Sequence, residues 1–335
     1  MRIRQSKRRA RRGVERWTRR DAGRWARRGV VAGTILVVAA VAYGRHRVRS
    51  DSDGTTPPAI TERNAAAFLV QRRVDPERLE SLRDHVAGIV SGGEPAPVLG
   101  LEGATTASLL LDLEGDVPEL VWYVEVPRSV TDRWAEPRSV VAEAFPIDHE
   151  AIVDDGEPDA FGDGSGSVDH ELLVHAANPA RPRTVADDGS LVAGPDAAGV
   201  DVDLVRLRLR PGLSERLADQ FAGLSRRVAD GDLELGPIET WSAEMLEAEN
   251  MYTESVVLER AADGYALLGY MEAEGMAQVY DAYYGTSNPV ARLSEVVLGR
   301  VLEEPERILE YPLGTDVELL AHAVAPNRPR RPDEC

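Results

Sequence analysis

One stretch near the middle of the chain occurs again close to its C-terminus, and this duplication limits the folds that the chain can adopt. Residues 171–183 read ELLVHAANPARPR and residues 318–330 read ELLAHAVAPNRPR, so nine of the thirteen positions are identical. Residues 69–89 align with residues 204–224 without a gap, and nine of these twenty-one pairs are identical. Because internal repeats mark repeated structural units, the matches indicate one domain written twice.

Each copy contains the same series of strand and helix patterns. In the first copy, an apolar run at residues 66–73 suits a strand, and Pro76 opens a helix whose apolar residues recur at helical spacing. Two strands, a helical region at residues 130–144 and a last strand at residues 171–177 complete the copy. In the second copy, the strand patterns lie at residues 204–208, 253–260, 266–273 and 317–324. Both copies therefore predict the order β-α-β-β-α-β.

This order predicts the ferredoxin-like plan, a four-stranded antiparallel sheet with both helices on one face and right-handed crossovers. A single unit leaves the other face of its sheet bare, whereas two units in one chain can press their bare faces together. We therefore predict an α+β protein with two tandem ferredoxin-like units, residues 63–185 and 201–330, paired sheet to sheet as a fused α/β barrel. A linker at residues 186–200 joins them, and no oligomer is required because both units belong to one chain.

Charge divides the chain into a basic head and an acidic body. The net charge is −18, but the first 49 residues hold sixteen Lys and Arg against two acids, a net of +14, which leaves −32 for the remainder. The only lysine is Lys7. An acidic, lysine-free body is typical of haloarchaeal proteins, because in multimolar salt the Debye length is about 3 Å or less and self-repulsion is screened. Such a body is not expected to bind nucleic acid.

An uncharged run at residues 29–44 follows the basic segment at residues 1–28 and precedes a polar linker at residues 45–62. As a helix it would span roughly 24 Å, somewhat less than the ~30 Å hydrocarbon core of a bilayer. Despite this shortfall, we predict an N-terminal transmembrane helix, because the run is uncharged and arginines flank it on both sides. The excess of arginine before the run predicts a single-pass protein of the cell membrane, with a cytoplasmic N-terminus and the acidic body outside.

Two other interpretations of the head stay open. Arg27-Arg28 followed by an apolar run resembles a twin-arginine export signal, and Ala40-Val41-Ala42 resembles its cleavage site. Alternatively, Met1 is a misassigned start.

Polar residues of both copies fall on common strand faces, because successive side chains of a strand point to opposite sides. Alternation predicts that a Tyr and a Glu share a face on the third strand of each copy, and that Leu173 faces with His175 and Leu320 with His322 on the last strands. On the second strands, Ser108 and its counterpart face the same way as a Thr two residues earlier. The candidate ligand-binding residues are Tyr123, Glu125, His175, Tyr270, Glu272 and His322.

These six residues support two readings. If the faces line the barrel interior, they bind a small polar ligand, position a proton, or hold a metal or haem through histidine. Alternatively, the Glu–Tyr pairs satisfy hydrogen bonds across the sheet interface and each histidine caps a carbonyl, which is the reading that we favour. Arg181 and Arg328 are expected to end the last strands, with an anion contact as the alternative.

Several classes of site find no support in the sequence. The only cysteine is Cys335, so the chain has no internal disulfide and no cysteine metal site. His175 and His322 are too few for a zinc site, which takes about three or four ligands. No phosphate-binding glycine loop and no Gly-x-Ser-x-Gly motif occur. No metal and no cofactor are therefore predicted, and the sequence assigns no catalytic residue.

The second copy resembles a family of small haloarchaeal domains of unknown function. The resemblance rests on Met271-Glu272, on the Tyr-Asp-Ala-Tyr stretch from Tyr280, on Ser287-Asn288-Pro289-Val290, on Pro312-Leu313 and on residues 319–326. It covers residues 200–330 well and residues 63–185 loosely. That family is similar to the dimeric α/β-barrel superfamily, which includes antibiotic-biosynthesis-type monooxygenases and haem-degrading enzymes. The resemblance implies a fold and transfers no catalytic residues.

Taken together, these features favour a membrane-anchored protein that is not an enzyme. Its expected role is that of a non-catalytic α/β-barrel module, which either binds a small ligand or is structural. The alternative is a monooxygenase-like or haem-handling enzyme that uses the barrel interior.

Overall fold

The computed structural model describes residues 59–91, 96–153, 168–178, 200–234, 237–285, 296–310, 312–325, 328–329 and 334–335. In these ranges the protein is α+β, with antiparallel strands in two sheets. The strands are β1 Ile60–Thr61, β2 Ala65–Arg73, β3 Thr106–Asp112, β4 Glu119–Pro127, β5 Asp169–Ala177, β6 Asp201–Arg208, β7 Met251–Ala261, β8 Gly264–Ala273 and β9 Val317–Val324.

Helices follow the first and third strands of each copy. Asp75 caps the first of them, because its side chain accepts a hydrogen bond from the backbone N–H of Glu77, and a 3₁₀ turn at Pro76–Arg78 leads into the helix. The helices are α1 Leu79–Ser91, α2 Ala96–Leu99, α3 Arg128–Thr131, α4 Pro137–Glu143, α5 Leu213–Ala229, α6 Pro237–Ala248, α7 Met276–Gly285 and α8 Glu306–Leu309, with a further helical stretch at residues 296–301. The predicted β-α-β-β-α-β order is thus present in both copies.

The two sheets exchange their last strands. One sheet has the order β2-β4-β3-β9 and the other has the order β1-β5-β7-β8-β6. Strand β9 of the second copy therefore pairs with β3 of the first, and β5 of the first copy pairs with β7 of the second. The sequence led us to expect four-stranded sheets built from one copy each. The exchange is possible because the last strands have nearly the same sequence, so the pattern of either one suits both sheets.

One hydrophobic core lies between the two sheets, and further cores lie under the helices. Leu110 and Val121 of one sheet pack between the sheets against Leu204 and Leu268 of the other. Neighbouring residues of the same strands, such as Trp122, point to the helix side instead. Strand β3 is buried along its whole length because both faces of its sheet are covered. The two copies therefore share an interior, which is consistent with the predicted fused barrel.

A β-bulge interrupts the alternation of both exchanged strands. In the pairing of β5 with β7 the register shifts at Leu173, and in the pairing of β9 with β3 it shifts at Leu320. Leu173 packs on the helix side of its sheet, as does Leu320, whereas the histidines that follow point between the sheets. The prediction that Leu173 faces with His175, and Leu320 with His322, is therefore wrong, because the extra residue of a bulge reverses the alternation beyond it.

The predicted localisation is contradicted. Among the helices of the described ranges, none is long and apolar enough to cross a bilayer. The longest, α5, has 17 residues and carries several charges, whereas a span needs about 20 predominantly apolar residues. The prediction of a single-pass membrane protein is therefore withdrawn. The run at residues 29–44, on which it rested, lies outside the described residues, as do the basic segment and most of the linker.

Candidate functional site

Polar side chains of both copies meet in the interior at the end where β4 and β8 finish. We call this group the polar interior cluster. Each of its members is at most 1 % exposed, so the cluster is closed to solvent. Its members are Ser108, Tyr123, Glu125, His175, Ser255, Tyr270, Glu272, His322 and Arg328.

At the centre of the cluster, one tyrosine from each sheet crosses the interior. The rings of Tyr123 and Tyr270 are stacked, with their centroids 3.5 Å apart and their planes within 9° of parallel. A separation of 3.5 Å is van der Waals contact between ring carbons, so no ligand lies between these rings. The two copies thus contact each other directly at equivalent positions.

Each tyrosine hydroxyl reaches a serine of the opposite sheet. The Tyr270 hydroxyl lies 2.9 Å from Ser108 Oγ, and Ser108 Oγ lies 2.8 Å from His322 Nδ1. The equivalent chain in the other half joins Tyr123 to Ser255 at 2.9 Å and Ser255 to His175 Nδ1 at 2.9 Å. Every chain contains residues from both copies, because its tyrosine and its serine belong to opposite sheets. The strand exchange places the histidine of the tyrosine's own copy beside that serine.

The charged end of the cluster is an ion pair between Arg328 and Glu272. The guanidinium donates two hydrogen bonds to the carboxylate, of 3.0 and 2.7 Å, and a third, of 3.1 Å, to Thr253 Oγ1. Burial opposes ionisation of Glu272, but Arg328 and then His322 outweigh it and hold the pKa of this carboxyl well below its ordinary value. The pKa of Arg328 is raised although burial alone would lower it, because Glu272 and Glu125 favour the charged form.

Glu125 occupies the position equivalent to Glu272 in the other sheet, and neighbouring side chains hydrogen-bond to it. Its carboxylate accepts hydrogen bonds from Thr106 Oγ1 at 3.1 Å and from the Tyr123 hydroxyl at 3.3 Å. Arg328 Nη2 lies 3.6 Å from it, so this one arginine bridges a glutamate of each sheet. Arg181, the sequence counterpart of Arg328, lies outside the described residues.

A second polar group closes the opposite end of the interior. Arg206 donates to Glu119 at 2.8 Å and to Glu259 at 3.3 Å, and its other terminal nitrogen lies 3.6 Å from Asp112. His170 also contacts Glu259, at 3.3 Å. Burial raises the pKa of Asp112, and the hydrogen bond from the Glu114 backbone N–H and then the Arg206 charge only partly offset this effect. The interior is therefore arranged in layers, polar at both ends and apolar between them.

The structure brings together all six candidate residues that the sequence singled out. Sequence reasoning assigned Arg328 to the end of a strand and missed its contact with Glu272. The available signal was the duplicated Arg-Pro-Arg, which follows the histidine at the same distance in both copies. In the described part of the chain, no group of three or more His, Cys, Asp or Glu side chains is arranged to hold a metal ion.

Comparisons with known proteins give structural matches alone. No protein-family model and no curated protein sequence matches the chain. Among solved structures, a candidate monooxygenase from Fusobacterium nucleatum is 10% identical over 81% of this chain and 94% of its own, with a TM-score of 0.31. An anthrone oxidase-like protein is 11% identical, covering 80% and 94%, with a TM-score of 0.30. A candidate monooxygenase from Lactobacillus acidophilus is 10% identical, covering 78% and 97%, with a TM-score of 0.33. At these TM-scores the matches carry no argument about the activity of this chain.

Proposed function

We propose that the acidic body is a non-catalytic structural module, an α/β barrel whose two halves are locked together by the polar interior cluster. The observation that carries the proposal is the direct stacking of Tyr123 on Tyr270, with each hydroxyl bound to a serine of the opposite sheet. In this arrangement the groups that would meet a ligand meet each other. Where the members of a buried hydrogen-bond network are paired, they make a structure rigid and specify one arrangement of its core.

The burial of the cluster supports a structural role over a catalytic one. A substrate that reached His322 or Glu272 would have to displace Arg328, whose bidentate ion pair closes this end of the interior. Charge-assisted, bidentate pairs are among the strongest polar contacts in proteins. The competing proposal, a monooxygenase-like or haem-handling enzyme, requires that this pair open.

Small-ligand binding is the second candidate, and two atoms favour it. Within the described ranges, His322 Nε2 and Arg328 Nε are buried and have no hydrogen-bond partner. Unsatisfied buried polar atoms are rare in native proteins and often mark a place for a water molecule or a ligand. A molecule of that kind would be small and would offer hydrogen-bond acceptors.

A spectrum and an unfolding experiment together test the structural proposal. The full chain, purified in multimolar salt, is expected to absorb only as protein, and haem or flavin is not expected to raise its melting temperature. A Soret band, a flavin band or a clear shift of the melting temperature with either cofactor would instead support the enzyme and contradict the structural proposal.

The second experiment replaces both cross-sheet serines. We expect Ser108→Ala with Ser255→Ala to lower the free energy of unfolding by about 2–6 kcal/mol, because each substitution removes one buried hydrogen bond to a tyrosine hydroxyl and one to a histidine ring. The matched control is Ser139→Ala on the exposed side of α4, which is expected to change stability by no more than about 0.5 kcal/mol. Equal stability of the two variants would show that the cluster does not lock the halves.

A further inference from the structure

We propose that Tyr123 and Tyr270 form a redox-active pair, which gives one electron to a one-electron oxidant and passes a phenolic proton through a serine to a histidine. This activity goes beyond the structural role proposed above and depends on different measurements. It rests on the chain from the Tyr270 hydroxyl through Ser108 to His322, with steps of 2.9 and 2.8 Å. These distances are those of ordinary O–H···O and O–H···N hydrogen bonds, so the chain can conduct a proton.

The ion pair beside His322 fixes the direction in which the hydrogen bonds from Tyr270 to His322 donate. Glu272 is ionised, and its Oε1 is the anionic atom facing His322 Nε2, at 3.5 Å. Although Nε2 makes no hydrogen bond, the negative charge of Oε1 at this distance favours the tautomer with its proton on Nε2, which leaves Nδ1 as an acceptor. Ser108 then donates to Nδ1, and its oxygen accepts the hydrogen bond of the tyrosine hydroxyl.

Burial couples the movement of the electron to that of the proton. Burial, and then the charge of Glu272, raise the pKa of Tyr270 well above its ordinary value, so the phenol holds its proton in the resting protein. Once a phenol loses an electron it becomes a strong acid, and a hydrogen-bonded base then takes the proton. The stacked ring of Tyr123 shares its π-surface with the oxidised ring, and both rings are closed to water.

The reaction balances without further groups. The oxidant gains one electron, and the Oη–H bond of Tyr270 breaks. The proton passes to Ser108 Oγ while the proton of Ser108 passes to His322 Nδ1. The products are a neutral tyrosyl radical and an imidazolium beside the Glu272 carboxylate, together with the reduced oxidant. Return of one electron reverses each transfer.

A partly exposed aromatic residue connects the pair to the surface. Tyr252 packs against the interior core that contains both stacked rings, and its side chain is half-buried. A diffusing oxidant can take an electron from Tyr252, and the electron vacancy then passes to the stacked pair. The class of oxidant that suits this site is a small radical or a high-potential metal complex, because the rings themselves admit no molecule.

The second chain, from Tyr123 through Ser255 to His175, repeats the arrangement with one difference. The Tyr123 hydroxyl also lies 3.3 Å from Glu125 Oε1 and so has two acceptors, whereas Tyr270 has the serine. The proton of Tyr123 has the Glu125 carboxylate as a direct acceptor, so its loss does not depend on Ser255. A test of the relay must therefore remove Tyr123 and follow Tyr270 alone.

The experiment oxidises the full chain with photogenerated tris(bipyridine)ruthenium(III) and follows the product by electron paramagnetic resonance and transient absorption. The native protein is expected to give a long-lived tyrosyl radical. Tyr123→Phe with Tyr270→Phe is expected to abolish that signal. The matched control is Tyr265→Phe, whose hydroxyl contacts Asp219 on the surface, and it is expected to keep the signal.

Replacing the serine separates the contribution of the proton relay from that of the tyrosine rings. With Tyr123→Phe as the background, Ser108→Ala is expected to slow radical formation at Tyr270 about a hundredfold, the lower end of what a positioned proton acceptor contributes. Circular dichroism checks that the variants retain the fold. In the native protein, the dependence of the rate on proton transfer is expected to appear as slower radical formation in D₂O than in H₂O. An unchanged radical in the double phenylalanine variant would overturn the proposal. So would an equal rate in the folded Tyr123→Phe/Ser108→Ala variant and in Tyr123→Phe alone, together with no isotope effect.

Discussion

Arg328 shows how much a single buried charge determines in this fold. It is fully buried, and it neutralises Glu272 while lying 3.6 Å from Glu125. Arg328→Met removes the cation and leaves a buried carboxylate without its partner, so we expect the free energy of unfolding to fall by about 3–5 kcal/mol in denaturant titrations. Adding Glu272→Gln should recover part of that loss. A single variant as stable as the native protein would show that the ion pair is not needed for folding.

Glu249 supplies a test in which pH is the variable. Its carboxyl is 6 % exposed at the end of α6, and burial, with the nearby charge of Glu254, raises its pKa to about 8. The unfolded chain ionises this group near the ordinary glutamate pKa of about 4.3, whereas the folded protein keeps it neutral up to about 8. Its contribution to stability is therefore fully present below pH ~4.3 and is lost as the pH rises through the window up to about 8, with a slope of at most about 1.4 kcal/mol per unit.

Removing this titration should flatten the profile. We expect Glu249→Gln to gain stability relative to the native protein as the pH is raised from 5 to 8, measured as the melting temperature at each pH. Glu244→Gln, at an exposed position of the same helix, should run parallel to the native profile. If Glu249→Gln also runs parallel, the carboxyl is already ionised in the folded protein.

At the same scale, sequence reasoning found the right side chains and half of their geometry. Simple alternation places Tyr123 with Glu125, and Tyr270 with Glu272, because β4 and β8 are regular strands. It fails for the histidines, because bulges are decided by local backbone geometry that no residue pattern marks in advance. It also fails for Arg328, since arginine is almost never fully buried unless it is paired, and its partner belongs to a different strand.

The exchanged last strands are the main lesson at the scale of elements. The strand bounds follow closely from the sequence, as for β8, predicted at residues 266–273 and found at Gly264–Ala273. The partner of a strand does not follow from the sequence in the same way, because β5 and β9 carry nearly the same residues and each would suit either sheet.

This exchange predicts the behaviour of the second copy alone. A fragment of residues 200–335 contains β9 but lacks β5, so its sheet has an unpaired edge at β7. Because β9 resembles β5, two fragments can exchange β9 and fill that position in each other. We expect a two-fold dimer by light scattering after size-exclusion chromatography.

The control is the same fragment with Ala321→Pro, which removes a ladder hydrogen bond in the middle of β9. That variant is expected to be a monomer or to be unfolded. A folded monomer of the unaltered fragment would show that β9 can return to its own sheet, and that the exchange depends on the connection to the first copy.

At the scale of the whole molecule, duplication and exchange have the same consequence. Each sheet contains a strand from the other copy, and each Tyr–Ser–His chain contains residues from both copies. Neither half is complete by itself, so unfolding is expected to be a single cooperative event rather than two. Fusion in one chain makes this interlocking independent of protein concentration, whereas a two-chain barrel would dissociate on dilution.

The charge of the whole chain provides the last prediction. The net charge of −18 is concentrated as −32 in the part of the chain after residue 49. At 0.1 M salt the Debye length is about 10 Å and neighbouring carboxylates repel one another, while at 1 M it is about 3 Å and the repulsion is screened. We therefore expect the melting temperature to rise steadily between 0.1 and 3 M KCl.

Replacing exposed carboxylates by amides should raise the melting temperature at low salt and reduce its salt dependence, because less repulsion is left to screen. A suitable set is Glu102→Gln, Asp116→Asn, Asp148→Asn and Glu244→Gln, all at exposed positions. A melting temperature that falls with KCl would mean that the ion pairs, which salt weakens, outweigh the repulsion in this fold.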